Sequence, residues 1–245
     1  MDEEIINIHQ EKIDYKFHLG SVNIHHLLII GHGVTGDMDH PHILKLAEEV
    51  SKQGMSVLRF SFSGNGNSSG RFEECTISKE IQDLQCILSA VIARGWRPIY
   101  AGYNLGAAAG ALTAAVDPRI ELLISIAGMV ETEKFCKNEF GMIIPGKGNM
   151  WDNAQCPLSQ EFVNEMVQIK SVLPRASGIQ IPWLLIHGTN DDVIPISESL
   201  SLILNFEKNR ELVEIVGANH LFSGNAINVV TDSVVDWLGR KLQAN

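Results

Sequence analysis

Apolar residues along this chain fall into short continuous runs that alternate with helical stripes. The continuous runs are at 26–31, 55–62, 99–103, 121–127, 182–188 and 211–216. Such runs are typical of strands that are buried on both faces of a parallel sheet. The stretches at 41–53, 76–94 and 197–206 repeat apolar residues at helical spacing. The alternation predicts an α/β fold with a mostly parallel central sheet, right-handed crossovers and helices on both faces.

The two ends of the chain carry different patterns. Residues 5–19 alternate apolar and polar positions in two short runs, which predicts a half-buried antiparallel pair of strands. The last stretch predicts a helix whose apolar side is formed by Val229, Val230, Val234, Trp237 and Leu238. A length of 245 residues fits a single domain over 1–245.

Residues 129–181 break the alternation of strands and helices. They contain Phe135, Phe140 and Trp151, together with a helical piece near 161–173. Long segments of this kind are uncommon unless they are functional. We expect a lid or cap insertion that folds over the carboxyl ends of the strands, where ligands bind in open α/β sheets. An ordinary surface excursion is the alternative.

The stretch at 99–110, I-Y-A-G-Y-N-L-G-A-A-A-G, joins a predicted strand to a glycine-rich and alanine-rich helix. Its centre matches the G-x-S-x-G nucleophile elbow except that Asn104 stands where serine is expected. Asparagine tolerates the left-handed conformation that such a turn requires. Its amide has no hydroxyl that a histidine could deprotonate, so the turn is predicted but the nucleophile is missing.

Two further loops follow predicted strands and carry an acid and a histidine. The first, G-T-N-D-D-V-I-P, places Asp191 and Asp192 after the strand at 182–188, and the second, G-A-N-H, places His220 after the last strand. The order of nucleophile position, acid and histidine is that of a Ser-Asp-His-type triad. We prefer Asp191 as the acid because it fits the form H-G-x-x-D-x-x-V/I-P, although Asp192 stays open.

The loop H-G-V-T-G at 32–36 predicts a site for a developing oxyanion. The backbone N–H groups of Val34 and Leu105 are the natural donors for it. We expect His32 to be a structural hydrogen-bonding residue. The residues assigned to substrate contact are Gly33, Tyr103, Trp151 and Leu221.

Composition excludes several classes of partner. A net charge of −10 and a pI near 5.3 do not indicate binding to nucleic acid or to an anionic membrane surface. The N-terminus lacks a signal-peptide pattern, and no apolar stretch reaches the roughly 18 residues that span a bilayer, so we expect a cytoplasmic protein with no membrane span. The expected partner is a small-molecule ester, with a homodimer as a possible assembly. The four widely spaced cysteines, Cys75, Cys86, Cys136 and Cys156, predict reduced thiols.

One cluster raises the alternative of a metal site. Asp37, Asp39, His40 and His42 lie close together, but their spacing fits no zinc signature. We expect no metal and no cofactor.

Taken together, these motifs resemble the α/β-hydrolases of the bacterial cinnamoyl/feruloyl esterase and monoglyceride-lipase-like group. The resemblance is carried by H-G-V-T-G at 32–36, R-F-S-F-S-G-N-G-N-S-S-G at 59–70, R-F-E-E-C-T-I-S-K-E-I-Q-D-L at 71–84, H-G-T-N-D-D at 187–192 and G-A-N-H at 217–220. It implies an α/β-hydrolase fold and hydrolysis of a carboxylic ester through an acyl-enzyme, with the insertion recognising the acyl or aromatic part. Two positions depart from the group: Ser61 replaces a common aspartate, and Asn104 replaces the serine.

Three hypotheses follow from Asn104. The chain is an esterase scaffold whose nucleophile has been replaced, inactive as written because a triad works as a unit. Alternatively, it is a non-catalytic ligand-binding or interaction protein of the same fold. In a third hypothesis, deamidation converts Asn104 into aspartate, the nucleophile of dehalogenases and epoxide hydrolases, although the following Leu105 should slow that reaction.

Overall fold

A computed structural model describes residues 3–206 and 208–243 as strands and helices in alternation. The strands are β1 Ile5–Ile6, β2 Lys12–Ile13, β3 Tyr15–His18, β4 Asn23–Gly31, β5 Met55–Phe60, β6 Arg97–Tyr103, β7 Leu122–Ile126, β8 Trp183–Gly188 and β9 Arg210–Ile215. The helices are α1 Pro41–Lys52, α2 Ile77–Ile92, α3 Leu105–Ala114, α4 Thr132–Phe140, α5 Gln160–Ile169, α6 Leu173–Ala176, α7 Ser197–Asn205 and α8 Ala226–Gln243. Short 3₁₀ turns lie at Phe72–Glu74 and Met150–Asp152.

Seven strands form the central sheet in the order β3-β5-β4-β6-β7-β8-β9. Every pair in it is parallel except β3 with β5. Strand β4 shows how the two faces are used: Leu27 and Ile29 pack into the core on one side, and Leu28 and Ile30 into the core on the other. Helices α2 and α3 pack together, as do α1 and α8. The predicted α/β fold, a mostly parallel central sheet with helices on both faces, is confirmed.

The N-terminal strands differ from the predicted pair. Only β1 and β2 pair with each other, at Ile5 with Ile13, whereas β3 pairs with β5 at the edge of the main sheet. The reason lies at Asp14, whose N–H donates to the Ser68 hydroxyl at 2.8 Å and whose carbonyl accepts from Ser61. This contact separates the second predicted run into two short strands.

The connection from β6 to α3 is compressed by close backbone contacts. A Cβ atom on Gly102 would lie 2.4 Å from the Gly106 carbonyl oxygen, and one on Gly106 would lie 2.3 Å from the His32 carbonyl oxygen. Between them Asn104 has φ +50° and ψ −114°. The predicted elbow is therefore a tight turn that packs against the loop after β4.

The segment between β7 and β8 contains α4, α5 and α6. Helix α4 packs on α5, and the Thr132 hydroxyl donates to the Met166 carbonyl at 2.8 Å. The helix predicted at 161–173 ends earlier, at Ile169, because Lys170 has a φ of +64°. That residues 129–181 act as a lid stays a prediction.

No helix in the described part of the chain is both long and apolar enough to cross a bilayer. The four cysteines are free thiols.

The close approach at Gly102 predicts a large cost for a single methyl group. Gly102→Ala should lower the free energy of unfolding by roughly 1–3 kcal/mol, since its Cβ would overlap the backbone of α3. The matched control is Gly239→Ala in α8, where nothing lies within 4 Å of the new Cβ, and it should raise stability by about 0.5–1 kcal/mol. Urea unfolding of both variants measures the difference. Equal stability of the two variants would contradict the packing described for the elbow.

Candidate active site

Four loops meet at the carboxyl ends of the parallel strands. The elbow after β6 carries Asn104, the loop after β8 carries Asp191, and the loop after β9 carries His220. The loop after β4 crosses the elbow so closely that a Cβ on Gly33 would lie 2.7 Å from the Asn104 Cβ. The parallel order of the strands therefore brings together residues that are far apart in sequence.

A hydrogen-bond chain joins the three predicted catalytic positions. His220 Nδ1 lies 2.9 Å from one carboxylate oxygen of Asp191 and 3.0 Å from the other. On the opposite side of the ring, His220 Nε2 lies 3.0 Å from Asn104 Nδ2. Asn104 and His220 are both buried.

The surroundings of Asp191 fix the direction of these hydrogen bonds. Burial alone would raise the pKa of Asp191, but hydrogen bonds from His187 and His220 outweigh it and hold the pKa below its usual value. The backbone N–H groups of Val193 and Ile194 also donate to this carboxylate, at 3.0 and 2.8 Å. An ionised carboxylate only accepts, so His220 carries its proton on Nδ1 and turns the lone pair of Nε2 toward Asn104. The neighbouring Asp192 lines the cavity instead, so the geometry favours Asp191 as the acid.

The Asn104 amide is hydrogen-bonded at both ends. Its Nδ2 donates to His220, and its Oδ1 accepts from the N–H of Leu105 at 2.6 Å. Leu105 is one of the two donors predicted for the oxyanion, so this donor is occupied by the side chain of Asn104 itself. Val34, the other predicted donor, lies in the wall of the cavity.

A cavity of about 330 Å³ opens at this point. All four residues predicted to contact substrate, Gly33, Tyr103, Trp151 and Leu221, line it. Trp151 is held there by a hydrogen bond from its indole N–H to Glu139 at 2.9 Å and by packing on Phe140, with ring centroids 4.9 Å apart. Its backbone has φ +46° and ψ +40°, a left-handed conformation that is rare for a bulky side chain.

A row of rings tilted against one another forms one wall of the cavity, and the sequence analysis did not predict it. The His42 ring lies 4.0 Å from that of Tyr103 and 4.4 Å from that of His40, centroid to centroid. The Tyr103 hydroxyl donates to the His220 carbonyl at 2.6 Å, which ties the wall to the histidine loop. The sequence H-P-H at 40–42 contains two of these rings, but in the sequence analysis its histidines were considered only as metal ligands.

The residues of the metal alternative make other contacts. Asp39 pairs with Arg59, the Asp37 carboxylate accepts the N–H of Asp39 at 2.8 Å, and His40 Nδ1 lies 3.1 Å from His42 Nδ1. Within 3–206 and 208–243, no group of three or more His, Cys, Asp or Glu side chains is placed to hold a metal ion.

His32 has the geometry of a structural residue. Its Nδ1 lies 2.9 Å from the Gly33 carbonyl oxygen, and its Nε2 accepts the N–H of Phe62 at 3.0 Å. Burial lowers the pKa of His32 to about 4, so the ring is neutral and fixes the start of the loop.

Comparison with known proteins decides the family. The profile of the prolyl oligopeptidase family matches residues 46–245. The chain belongs to this family. Its structural neighbours share the α/β-hydrolase fold, which confirms the fold predicted from the sequence. The family match makes the chain a member of a hydrolase family.

Individual relatives of this family member are distant. The mouse palmitoyl-protein thioesterase ABHD10, mitochondrial, is 28% identical over 185 residues, which are 69% of this chain and 60% of the relative. The bovine protein of the same name is 26% identical over 182 residues, 69% of this chain and 58% of the relative. The chain thus spans about 60% of the length of the curated relatives that it matches.

Solved structures of similar fold extend over nearly the whole chain. Est1E from Butyrivibrio proteoclasticus, with ferulic acid bound, superposes with a TM-score of 0.86 at 22% identity and covers 98% of this chain and 99% of its own. Mouse alpha/beta hydrolase domain-containing protein 10 superposes with a TM-score of 0.79 at 19% identity, covering 97% and 98%. At these identities the likeness concerns the fold.

The environment of His42 predicts that the stability of the protein depends on pH. Burial, and then the neighbouring His40, lower the pKa of His42 from 6.5 to about 3. Between these values the unfolded chain takes up a proton that the folded protein does not, so the free energy of unfolding falls as the pH drops from 7 to 5. His42→Phe should reduce that fall by about 2 kcal/mol, as measured by urea unfolding at both pH values.

The comparison with the unsubstituted protein isolates His42. Burial raises the pKa values of Glu80 and Glu198, which changes stability in the opposite direction but equally in both proteins. An unchanged pH dependence in His42→Phe would contradict the assignment.

Proposed function

We propose that this protein has the active-site architecture of a carboxylic-ester hydrolase, in which Asn104 replaces the nucleophile. The observation that carries the proposal is the hydrogen-bond chain from Asp191 through His220 to residue 104. An imidazole lone pair aimed at the elbow residue, with a carboxylate behind the ring, is the arrangement that activates a serine hydroxyl. Membership of a hydrolase family supports the same interpretation.

A serine at position 104 would give each residue a defined role. His220 Nε2 would take the hydroxyl proton while the serine oxygen attacks the ester carbonyl, and it would then protonate the departing alcohol. Asp191 would hold the Nδ1–H tautomer and stabilise the imidazolium. The N–H groups of Val34 and Leu105 would receive the negative oxygen, each contributing roughly 3–4 kcal/mol to the transition state. Water activated by His220 would then release the acid.

The chain as written lacks the first of these steps. The amide nitrogen of Asn104 is not a nucleophile, and its oxygen occupies the Leu105 donor at 2.6 Å. Loss of the nucleophile alone reduces turnover on the order of a million-fold in a triad enzyme. We therefore infer that the protein binds its ester without cleaving it.

The cavity favours a short or aromatic acyl group. Its volume of about 330 Å³ is at the small end of ligand sites. The rings of His40, His42 and Tyr103, which are tilted by 42–46° to one another, offer aromatic surface against which an aromatic acyl group can pack. The ferulic acid bound to Est1E supports a hydroxycinnamoyl ester as the first candidate. The thioesterase relatives make a short acyl thioester the next one to assay.

A second function is favoured because both ends of the Asn104 side-chain amide are already hydrogen-bonded. Because Asn104 satisfies both His220 and Leu105, the site is complete without a substrate. A protein that only binds a small acid or ester beneath residues 129–181 would need no change in these contacts. This alternative predicts no turnover even when serine is restored.

The decisive test is Asn104→Ser assayed beside the unsubstituted protein. We expect the serine form to hydrolyse a short-chain aryl ester and methyl ferulate, with turnover raised by at least about a thousand-fold because the triad is complete. Asn104→Ala is the control for removal of the amide alone, and it should stay inactive. Asn104→Ser combined with His220→Gln should lose the gain.

Circular dichroism and urea unfolding establish that each variant is folded. A folded Asn104→Ser variant that hydrolyses none of these esters would refute the hydrolase proposal and support the binding protein.

A further inference from the structure

The backbone at Asn104 is set for a reaction within the residue. Its ψ of −114° turns the Leu105 nitrogen to the same side of the Cα–C bond as the Asn104 side chain. In a regular helix or strand, ψ lies near −42° or +135°, and this nitrogen points away from the side chain. Here the Leu105 nitrogen lies 2.6 Å from Oδ1, so it is beside the amide carbon Cγ.

The Leu105 N–H also has no partner in the helix ladder. It is the first residue of α3, and the first N–H groups of a helix have no carbonyl four residues earlier to bind. The positive end of the helix dipole lies at the same place and favours negative charge on the atoms of the amide.

The leaving group has its own partner. The nitrogen that deamidation expels, Nδ2, lies 3.0 Å from His220 Nε2, and Asp191 supports the ring from behind. A histidine in this position can carry the proton that turns a departing amide into ammonia.

We propose that Asn104 is a self-modification site, which the elbow and His220 convert to aspartate with release of ammonia. In the first step the Leu105 nitrogen bonds to Cγ, the Cγ–Nδ2 bond breaks, and the Leu105 proton leaves with Nδ2 through His220 as ammonia. The product is a succinimide ring. In the second step water adds to Cγ, the Cγ–N bond breaks, and the Leu105 nitrogen regains a proton from that water.

The site also favours one of the two products of ring opening. Ammonia leaves a vacancy beside His220 Nε2, and water activated there faces Cγ rather than the main-chain carbonyl carbon. Attack at Cγ restores the normal main chain and gives aspartate, whereas attack at the main-chain carbon would give isoaspartate. The net reaction consumes one water and releases one ammonia.

The fold removes the reason for which Leu105 was expected to slow the deamidation of Asn104. A bulky residue after asparagine slows deamidation in a flexible chain, because the backbone must rotate into the reactive conformation. In the folded protein the contacts of Gly102 and Gly106 already hold that conformation. The result is a carboxylate at the elbow, which is a different class of nucleophile from the serine considered above.

The chain contains a matched internal control. Asn65 is followed by Gly66, the pair in which a flexible chain cyclises most easily. Its side-chain nitrogen donates to the Ser63 carbonyl oxygen at 3.3 Å and to Cys75 Sγ at 3.4 Å, whereas that of Asn104 donates to a histidine. Ageing the folded full-length protein and a urea-denatured sample in parallel, followed by peptide mass spectrometry, measures both positions. The Asn104→Asp variant supplies the standard for the normal aspartyl peptide.

We expect the folded protein to convert at Asn104, through a species lighter by about 17 Da, to one heavier than the start by about 1 Da. The denatured sample should convert at Asn65 instead. In ¹⁸O-enriched water, one heavy oxygen should enter the residue 104 carboxylate. His220→Gln should slow conversion at Asn104 by at least about a hundred-fold, and Asp191→Asn should slow it less.

Three results would overturn the inference. These are an Asn104 that stays intact in the folded protein while Asn65 of the denatured sample converts, conversion at an unchanged rate in folded His220→Gln, or isoaspartate as the main product. None of them bears on ester hydrolysis, because Asn104→Ser has no amide to lose. Failure of this inference is therefore distinguishable from failure of the proposed function.

Discussion

The hydrogen-bond chain from Asp191 through His220 to Asn104 is the interaction on which the site depends. Asp191 receives four donors, from two histidines and two backbone N–H groups, and so stays an acceptor. That fixes the tautomer of His220, and the tautomer fixes how the Asn104 amide must lie. The orientation of one carboxylate thus determines which atom of residue 104 faces the base and which faces the backbone donor.

The elbow is the second constraint, and it holds Asn104 in a strained backbone conformation. Its φ of +50° is combined with a ψ of −114°, which lies outside the left-handed helical region that asparagine tolerates, so the surrounding contacts must hold the residue there. The flanking glycines cannot carry side chains because the start of α3 and the loop after β4 pass too close. Asparagine preserves this geometry and its hydrogen bonds while removing the hydroxyl. The fold and the chemistry of the site are therefore separable at a single position.

Much of the fold was predictable because its signals are local. Buried parallel strands are continuously apolar, and the residues at their carboxyl ends must meet at one edge of the sheet. The strand pattern alone therefore predicts that Asn104, Asp191 and His220 lie together. The α2 helix was predicted within two residues at each end because its apolar stripe and Gly95 are both local features.

The remainder depends on contacts between distant segments. The contact between the His42 and Tyr103 rings is decided by how α1 packs on the sheet, and no spacing in the sequence indicates it. The left-handed backbone of Trp151 is likewise held by Glu139 and Phe140 rather than by its neighbours in sequence. The separation of β2 from β3 depends on Ser68, far along the chain. The occupied Leu105 donor could not be foreseen because it requires the side-chain rotamer of Asn104.

The protonation state of His220 is the sharpest test of the hydrogen-bond chain. Long-range ¹H–¹⁵N correlation spectra of the protein labelled with ¹⁵N-histidine distinguish a protonated ring nitrogen from a bare one. The chain of contacts predicts, at neutral pH, a proton on Nδ1 and none on Nε2. A neutral ring protonated on Nε2 would contradict it, because Asp191 could then not be the partner of Nδ1. Neither the proposed ester hydrolysis nor the role of His220 toward Asn104 would then stand.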